Sequence, residues 1–241
     1  MSNTEVLSKI WDTAKAKQKN FPKPKETVFI PDLEREIGYH EFSGYVWETM
    51  VRQLRAEKKD DSIFPEYTDN QKEIIKGILN CALSFDPFGQ QNPARGIYLF
   101  GEHSTGKTFV MKTISQCIQN LSVSNVNNAF RLSIWDYKSM MLRARKEKSV
   151  GFIDDMKGNI YLDDFGYLDK SEIKIYGQDE NTVQLIVEQL HRQYSAGYKI
   201  FITSNMSPHH LASNYGRGTF DRLFQMCNII GWDGQNKRVT E

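Results

Sequence analysis

Eight consecutive residues, Gly101-Glu102-His103-Ser104-Thr105-Gly106-Lys107-Thr108, restrict this chain more than any other feature. They meet the spacing G-x-x-x-x-G-K-T, and the short apolar run Ile97-Tyr98-Leu99-Phe100 leads directly into them. Beyond them Val110, Ile114, Cys117, Ile118 and Leu121 recur at helical spacing. Strand, glycine-rich turn and helix, in that order, make a concavity of backbone N–H groups that binds phosphate oxygens. Gly101 and Gly106 let the chain turn sharply, and the helix start adds its positive dipole end. Lys107 is placed to reach β- and γ-phosphates, and the Thr108 hydroxyl to ligate Mg²⁺. Glycine turns before helices also occur without a ligand, but a preceding strand and a following helix are the context a phosphate loop requires.

The rest of the pattern surrounds this unit with alternating elements. Thr68-Asp69-Asn70-Gln71 has the form of a capping box, and Ile74, Ile75, Ile78, Leu79 and Ala82 follow on one helical face. Apolar strands are expected at 130–135, 159–163, 199–203 and 227–230, with helices at 137–148 and 181–195. Helices alternating with continuous apolar strands predict an α/β fold, a parallel sheet covered on both faces.

With 241 residues the chain is long enough for one such domain and an appendage. The domain is expected over 68–241 and the appendage, a small and mostly helical N-terminal region, over 1–67. That first part carries Pro22, Pro24, Pro31 and Pro65 and the lysines Lys9, Lys15, Lys17, Lys19, Lys23 and Lys25. Val6, Ile10 and Ala14 suit a short amphipathic helix, and Phe42, Val46, Met50, Val51 and Leu54 line a second at 40–58. The lysines are either a solvated tail or a docking arm for a partner.

A formal charge of +1 gives no global attraction to nucleic acid. No apolar run approaches a membrane span, and Met1-Ser2-Asn3-Thr4-Glu5 does not begin a signal peptide, so a cytoplasmic protein is expected. Cys81, Cys117 and Cys227 lack metal-binding spacing and fit buried free thiols.

A phosphate loop that hydrolyses its nucleotide needs carboxylates near the metal and the attacking water. Asn159-Ile160-Tyr161-Leu162-Asp163-Asp164 ends an apolar strand on two of them. Asp163 is the expected metal-side residue and Asp164 the base or water-positioning residue. The strand at 199–203 leads to Asn205, whose carboxamide suits a γ-phosphate sensor, although Asn also terminates strands without a function. Arg217 and Arg222, in Gly216-Arg217-Gly218-Thr219-Phe220-Asp221-Arg222-Leu223, are of the right type to neutralise γ-phosphate charge across a subunit boundary, or to make surface ion pairs. Lys138, Arg143, Arg145, Lys146 and Lys148 lie beside Trp135 and Tyr137. They form either a contact for single-stranded DNA or a solvated basic face above a core of Met140, Met141 and Leu142.

The combined order of GEHSTGKT, YLDDFG, FITSN and the terminal FDRL…GWDG…KRVT stretch resembles the DnaC-type AAA+ helicase loaders of bacteria and phages. It is similar, less closely, to IstB-type ATPases that assist transposition. The resemblance covers 68 to the end. It implies a five-stranded parallel AAA+ sheet with no or a minimal C-terminal lid. It also implies Mg²⁺-dependent ATP hydrolysis, homo-oligomers with ATP between subunits, and a hexameric replicative helicase or another replication or transposition protein as partner. Residue by residue it makes 101–108 the ATP-binding loop, Asp163 and Asp164 the acidic pair and Asn205 the first sensor. Arg222 or Arg217 becomes the arginine finger and Arg238 the second-sensor candidate. A GTPase would need N-K-x-D, but Asn236-Lys237-Arg238-Val239 lacks the aspartate. A nucleoside kinase would normally add an arginine-bearing lid.

Overall fold

Every strand of the central sheet divides its side chains between two helical layers, which fixes where the site can open. The computed structural model describes residues 27–30, 35–59, 65–83, 95–122, 132–147, 149–166 and 182–234. The chain begins with β1 (Thr27–Ile30) and β2 (Arg35–Gly38), an antiparallel pair, followed by α1 (Tyr39–Lys58) and α2 (Asp69–Leu83). The sheet strands are β3 (Gly96–Phe100), β4 (Leu132–Asp136), β5 (Asn159–Phe165), β6 (Ile200–Ser204) and β7 (Cys227–Gly231). Between them run α3 (Lys107–Ser122), α4 (Tyr137–Glu147), α5 (Thr182–Ser195), α6 (Pro208–Tyr215) and α7 (Arg217–Met226).

All pairings in this sheet are parallel, in the order β4-β5-β6-β3-β7, so β3 lies between β6 and β7. This is an α/β fold, and the expected five-stranded parallel sheet is present. Ile97 and Leu99 join Tyr161, Phe201 and Ile230 under α1, α2 and α3. Their neighbours Tyr98, Ile160, Leu162, Ile200, Ile202 and Ile229 face α4, α5 and α7. The period of two along each strand makes this division, and burial on both sides explains the uninterrupted apolar runs.

The capping box forms as the sequence predicts. The Gln71 N–H donates to Thr68 Oγ1 at 3.2 Å, and the Thr68 N–H donates to Gln71 Oε1 at 3.1 Å. Phe42, Val46 and Met50 of α1 are buried in one cluster with Ile78, Leu99 and Met111, so α1 shares the core of the sheet. Met50→Ala should therefore cost about 2–4 kcal/mol in a urea unfolding experiment, whereas Leu142→Ala, at a side chain 52% exposed, should cost little. A near-zero effect at Met50 would separate α1 from that core.

Several expectations need correction or fall elsewhere. Helices α6 and α7 were not foreseen, and α7 carries Arg217 and Arg222. Ser207 caps α6, accepting the His210 N–H, with Pro208 in the first turn, and Gly216 (φ +85°) separates α6 from α7. Leu142 is exposed rather than in the core, and the β1–β2 hairpin was not foreseen. Cys117 and Cys227 are buried free thiols. The helix expected around Val6, Ile10 and Ala14, and the segment that would decide the lid, lie outside the described residues. Among the described residues no helix is long and apolar enough to cross a membrane.

Candidate nucleotide site

Residues 101–108 bridge the C-terminal end of β3 and the first turn of α3. Ser104 (φ +61°) and Gly106 (φ +97°) both occupy the left-handed region, which turns successive N–H groups toward one side. The Thr105 hydroxyl donates to the Glu102 carbonyl at 2.9 Å and closes the loop. Gly101 cannot be replaced without movement, because a Cβ there would lie 2.2 Å from the Trp232 carbonyl oxygen.

The segment after β7 supports this loop from behind. The Trp232 N–H donates to the Phe100 carbonyl at 2.7 Å, and the Trp232 indole Nε1–H to the Thr105 carbonyl at 3.0 Å. Tyr67 packs edge-on against that indole at 6.1 Å, and Gln71 Nε2 donates to the Asp233 carbonyl. The sequence marks the GWDG stretch only as part of a resemblance; the structure gives it a position beneath the phosphate loop.

Lys107 is 4% exposed. Its Nζ donates to the carbonyls of Gly101 (3.0 Å) and Glu102 (2.6 Å) and to Asn205 Oδ1 (3.0 Å). Burial, opposed by Asp164, Asp163 and Glu102, brings its pKa from 10.5 down to about 8. In the unfolded chain the group keeps the ordinary value, so the folded protein loses this proton first. Its contribution to stability therefore rises between about pH 8 and 10.5, as the cost of a buried charge is relieved. Phosphate affinity should move the other way, falling above about pH 8 by up to about tenfold per unit, because the bound anion requires the ammonium. Titration of a fluorescent ATP analogue from pH 7 to 9.5 checks this; a flat profile would remove Lys107 from phosphate contact.

Asp163 is held by four side chains. Its Oδ1 accepts from Thr108 Oγ1 (3.0 Å), Tyr161 Oη (2.7 Å) and Thr203 Oγ1 (2.6 Å), and its Oδ2 pairs with Lys112 Nζ at 2.7 Å. Burial alone would raise this carboxyl, but the bonds from Lys112, Thr203 and Tyr161 more than offset it and hold the group below its ordinary value. Asp164 behaves oppositely. Burial first, then the adjacent Asp163 charge, raises its pKa, while Lys107 and His103 oppose the rise. Asp164 also has φ +52°, where the β5–β6 register shifts between Leu162 and Phe165, and its N–H donates to Thr203 Oγ1 at 3.1 Å. A non-glycine residue held in this region of the backbone at a strand end is where functional strain collects.

Asn205 follows β6, facing the loop. Its Oδ1 accepts from Lys107, while its Nδ2 is buried with no hydrogen-bond partner. A buried free donor beside a lysine suits an anionic oxygen.

Arg217 and Arg222 take a different place. Both lie on α7, Arg222 paired with Glu188 of α5 at 3.0 Å and Arg217 with Asp221 at 3.8 Å. Arg238 lies outside the described residues. Of the basic segment, Lys138, Arg143 and Lys146 are exposed, but Arg143 pairs with Glu147 and covers the Phe152 ring at 4.8 Å. Of the two aromatics beside them, Tyr137 is fully buried and Trp135 is partly buried against the core.

The arrangement fits a nucleotide polyphosphate: a backbone concavity, a buried lysine and an unpartnered carboxamide donor meet at one edge of the sheet. Thr108 and Asp163 offer the hard oxygen donors that Mg²⁺ prefers. Lys112, Tyr161 and Thr203 were missed at the sequence level. Only Lys112 left a local signal, since it lies one helical turn after Thr108.

No protein-family model matches the chain, and no curated protein does. Among solved structures it is similar to DnaI, with 17% identity and a TM-score of 0.50, covering 69% of this chain and 87% of that one. It is also similar to domain III of the Thermotoga maritima replication initiation protein DnaA, with 17% identity and a TM-score of 0.50. That match covers 69% of this chain and 64% of the DnaA chain. At these identities the likeness is one of fold.

Proposed function

We propose that the chain binds and hydrolyses ATP at this site and acts as a DnaC-like loader of a hexameric replicative helicase. The observation that carries the ATPase part is the convergence of Lys107, Thr108, Asp163, Asp164 and Asn205, with the Asn205 amide left as a free donor. Lys107 and the N–H groups of 101–108 bind the phosphates. Thr108 and Asp163 hold Mg²⁺, which when bound neutralises charge on the β- and γ-phosphates. Asp164 orients and deprotonates the attacking water, and the Asn205 amide donates to the γ-phosphate. Arg217 or Arg222 serves a neighbouring subunit's ATP in a homo-oligomer, Arg222 by first leaving Glu188.

The loader part rests on the sequence resemblance, on the fold shared with DnaI and on a lysine-rich extension ahead of the ATPase core. Since α1 is packed into that core, the docking role falls to residues 1–38. A pull-down with the host's replicative helicase should capture the full chain and lose it when residues 1–38 are deleted. Capture by neither protein overturns the loader reading; capture by both moves the docking surface into the ATPase domain. An IstB-like role in transposition is the second reading, favoured by the same acidic and sensor motifs, and an adjacent transposase gene would support it. Single-stranded DNA remains a partner only through Lys138, Lys146 and their basic neighbours, with Tyr137 buried.

A further inference from the structure

The two oxygens of Asp163 are unequally engaged. Oδ1 accepts from Thr108, Tyr161 and Thr203, already more than the roughly two acceptor sites an oxygen offers, whereas Oδ2 meets only the Lys112 ammonium. A divalent ion held at the Thr108 hydroxyl would need Asp163 to accept one of its bound waters, and with Oδ1 full that water would have to come to Oδ2, the oxygen Lys112 holds. Tyr161 and Thr203 are buried in the sheet, and Thr108 is itself the ligand. Lys112 is the exception. Its side chain is 45% exposed, and it reaches Asp163 from one helical turn beyond Thr108, so its ammonium has solvent to return to.

The geometry points to Lys112 as a resident cation at the metal edge, competing with Mg²⁺ for Asp163. With Lys112 on Oδ2 the carboxylate is neutralised, and the phosphates of ATP meet less repulsion even without metal. Thr108 and Asp163 would hold Mg²⁺, and the charge of that ion beside Oδ2 would favour withdrawal of the Lys112 ammonium into solvent. The lysine thus weakens the metal and supports the metal-free nucleotide complex, so nucleotide affinity depends less on Mg²⁺ than it would without it. The two effects are one coupling seen from two ligands, and such couplings are typically about 5–150-fold.

This rests on the reading that residues 101–108 hold ATP, and the test separates the two. The Kd of a fluorescent ATP analogue is measured with EDTA and with saturating Mg²⁺ for the wild type, Lys112→Met and Lys112→Arg. The ratio of the two constants should be below about 10 for the wild type and should grow about tenfold or more in Lys112→Met. The Mg²⁺ concentration giving half-maximal binding should fall in the same variant. Lys112→Arg, which keeps the charge, should stay close to the wild type; a purely structural role for Lys112 would not move the metal ratio. An unchanged ratio in a Lys112→Met protein that still binds nucleotide overturns the role of Lys112 alone. A wild-type ratio above about 100 does the same without any variant, should Lys112→Met fail to fold. Absence of binding by the wild type under both conditions overturns the nucleotide reading itself.

Discussion

Lys107→Ala is expected to weaken ATP binding by about two to three orders of magnitude, the largest loss of affinity any single substitution here should give. The ammonium is buried and already aimed into the loop by the Gly101 and Glu102 carbonyls and by Asn205. A charge-assisted hydrogen bond contributes roughly 1.5–3 kcal/mol, and a phosphate pair offers more than one. Alanine removes the charge and leaves the Asn205 Oδ1 and both carbonyls without their donor, so the loop loses part of its shape as well. The fold should survive, because Lys107 costs stability by being buried charged below about pH 8. Isothermal titration of ATP, beside a thermal melt of the same variant, separates the two effects. A variant with wild-type affinity would move the phosphate site away from residues 101–108.

What could be seen in the sequence is what depends on near neighbours in the chain. The loop spacing, the capping box at Thr68 and Gln71, and the strand ends at Asp163 and Asn205 are local patterns. The capping box forms, and Lys107 with Asn205 and Thr108 with Asp163 lie within hydrogen-bond reach. What could not be seen is who reaches across. Thr203 meets Asp163 from another strand, and the Trp232 indole meets Thr105 from the far end of the domain. No periodicity encodes such partners, since they follow from strand order, and β3 sits between β6 and β7 only in three dimensions. The amphipathic face of α1 was legible, but not that it covers the same sheet as α2 and α3. Tyr137 illustrates the reverse error: an aromatic beside basic residues suggests stacking on bases, yet it opens a helix whose apolar face is core, and its ring packs on Phe165. Gly218 lowers helix propensity, yet it lies inside α7, where the buried Phe220 and Leu223 hold the helix to the core.

Asp164→Asn should leave ATP binding within a few-fold of the wild type and slow hydrolysis by about 10²–10³-fold. The substitution is nearly isosteric, so the change isolates the loss of a base. Asparagine also tolerates the left-handed backbone that Asp164 adopts at φ +52°, better than alanine does. Removing one of two adjacent carboxylates relieves repulsion that, after burial, is the main reason the Asp164 pKa is raised. The melting temperature should therefore stay level or rise, while Asp164→Ala should lower it. That contrast distinguishes a catalytic defect from a folding one. Single-turnover phosphate release on a preformed ATP complex is the direct measurement, since it is blind to affinity. The raised pKa carries a further expectation of sign: a base that must be ionised loses activity as pH falls, and it does so at higher pH than an ordinary aspartate would. If Asp164→Asn turned over at the wild-type rate, Asp164 would be only the bulge residue that shapes the strand end, and the base would have to be sought elsewhere along this edge, with Asp136, at the end of β4, the next carboxylate to replace.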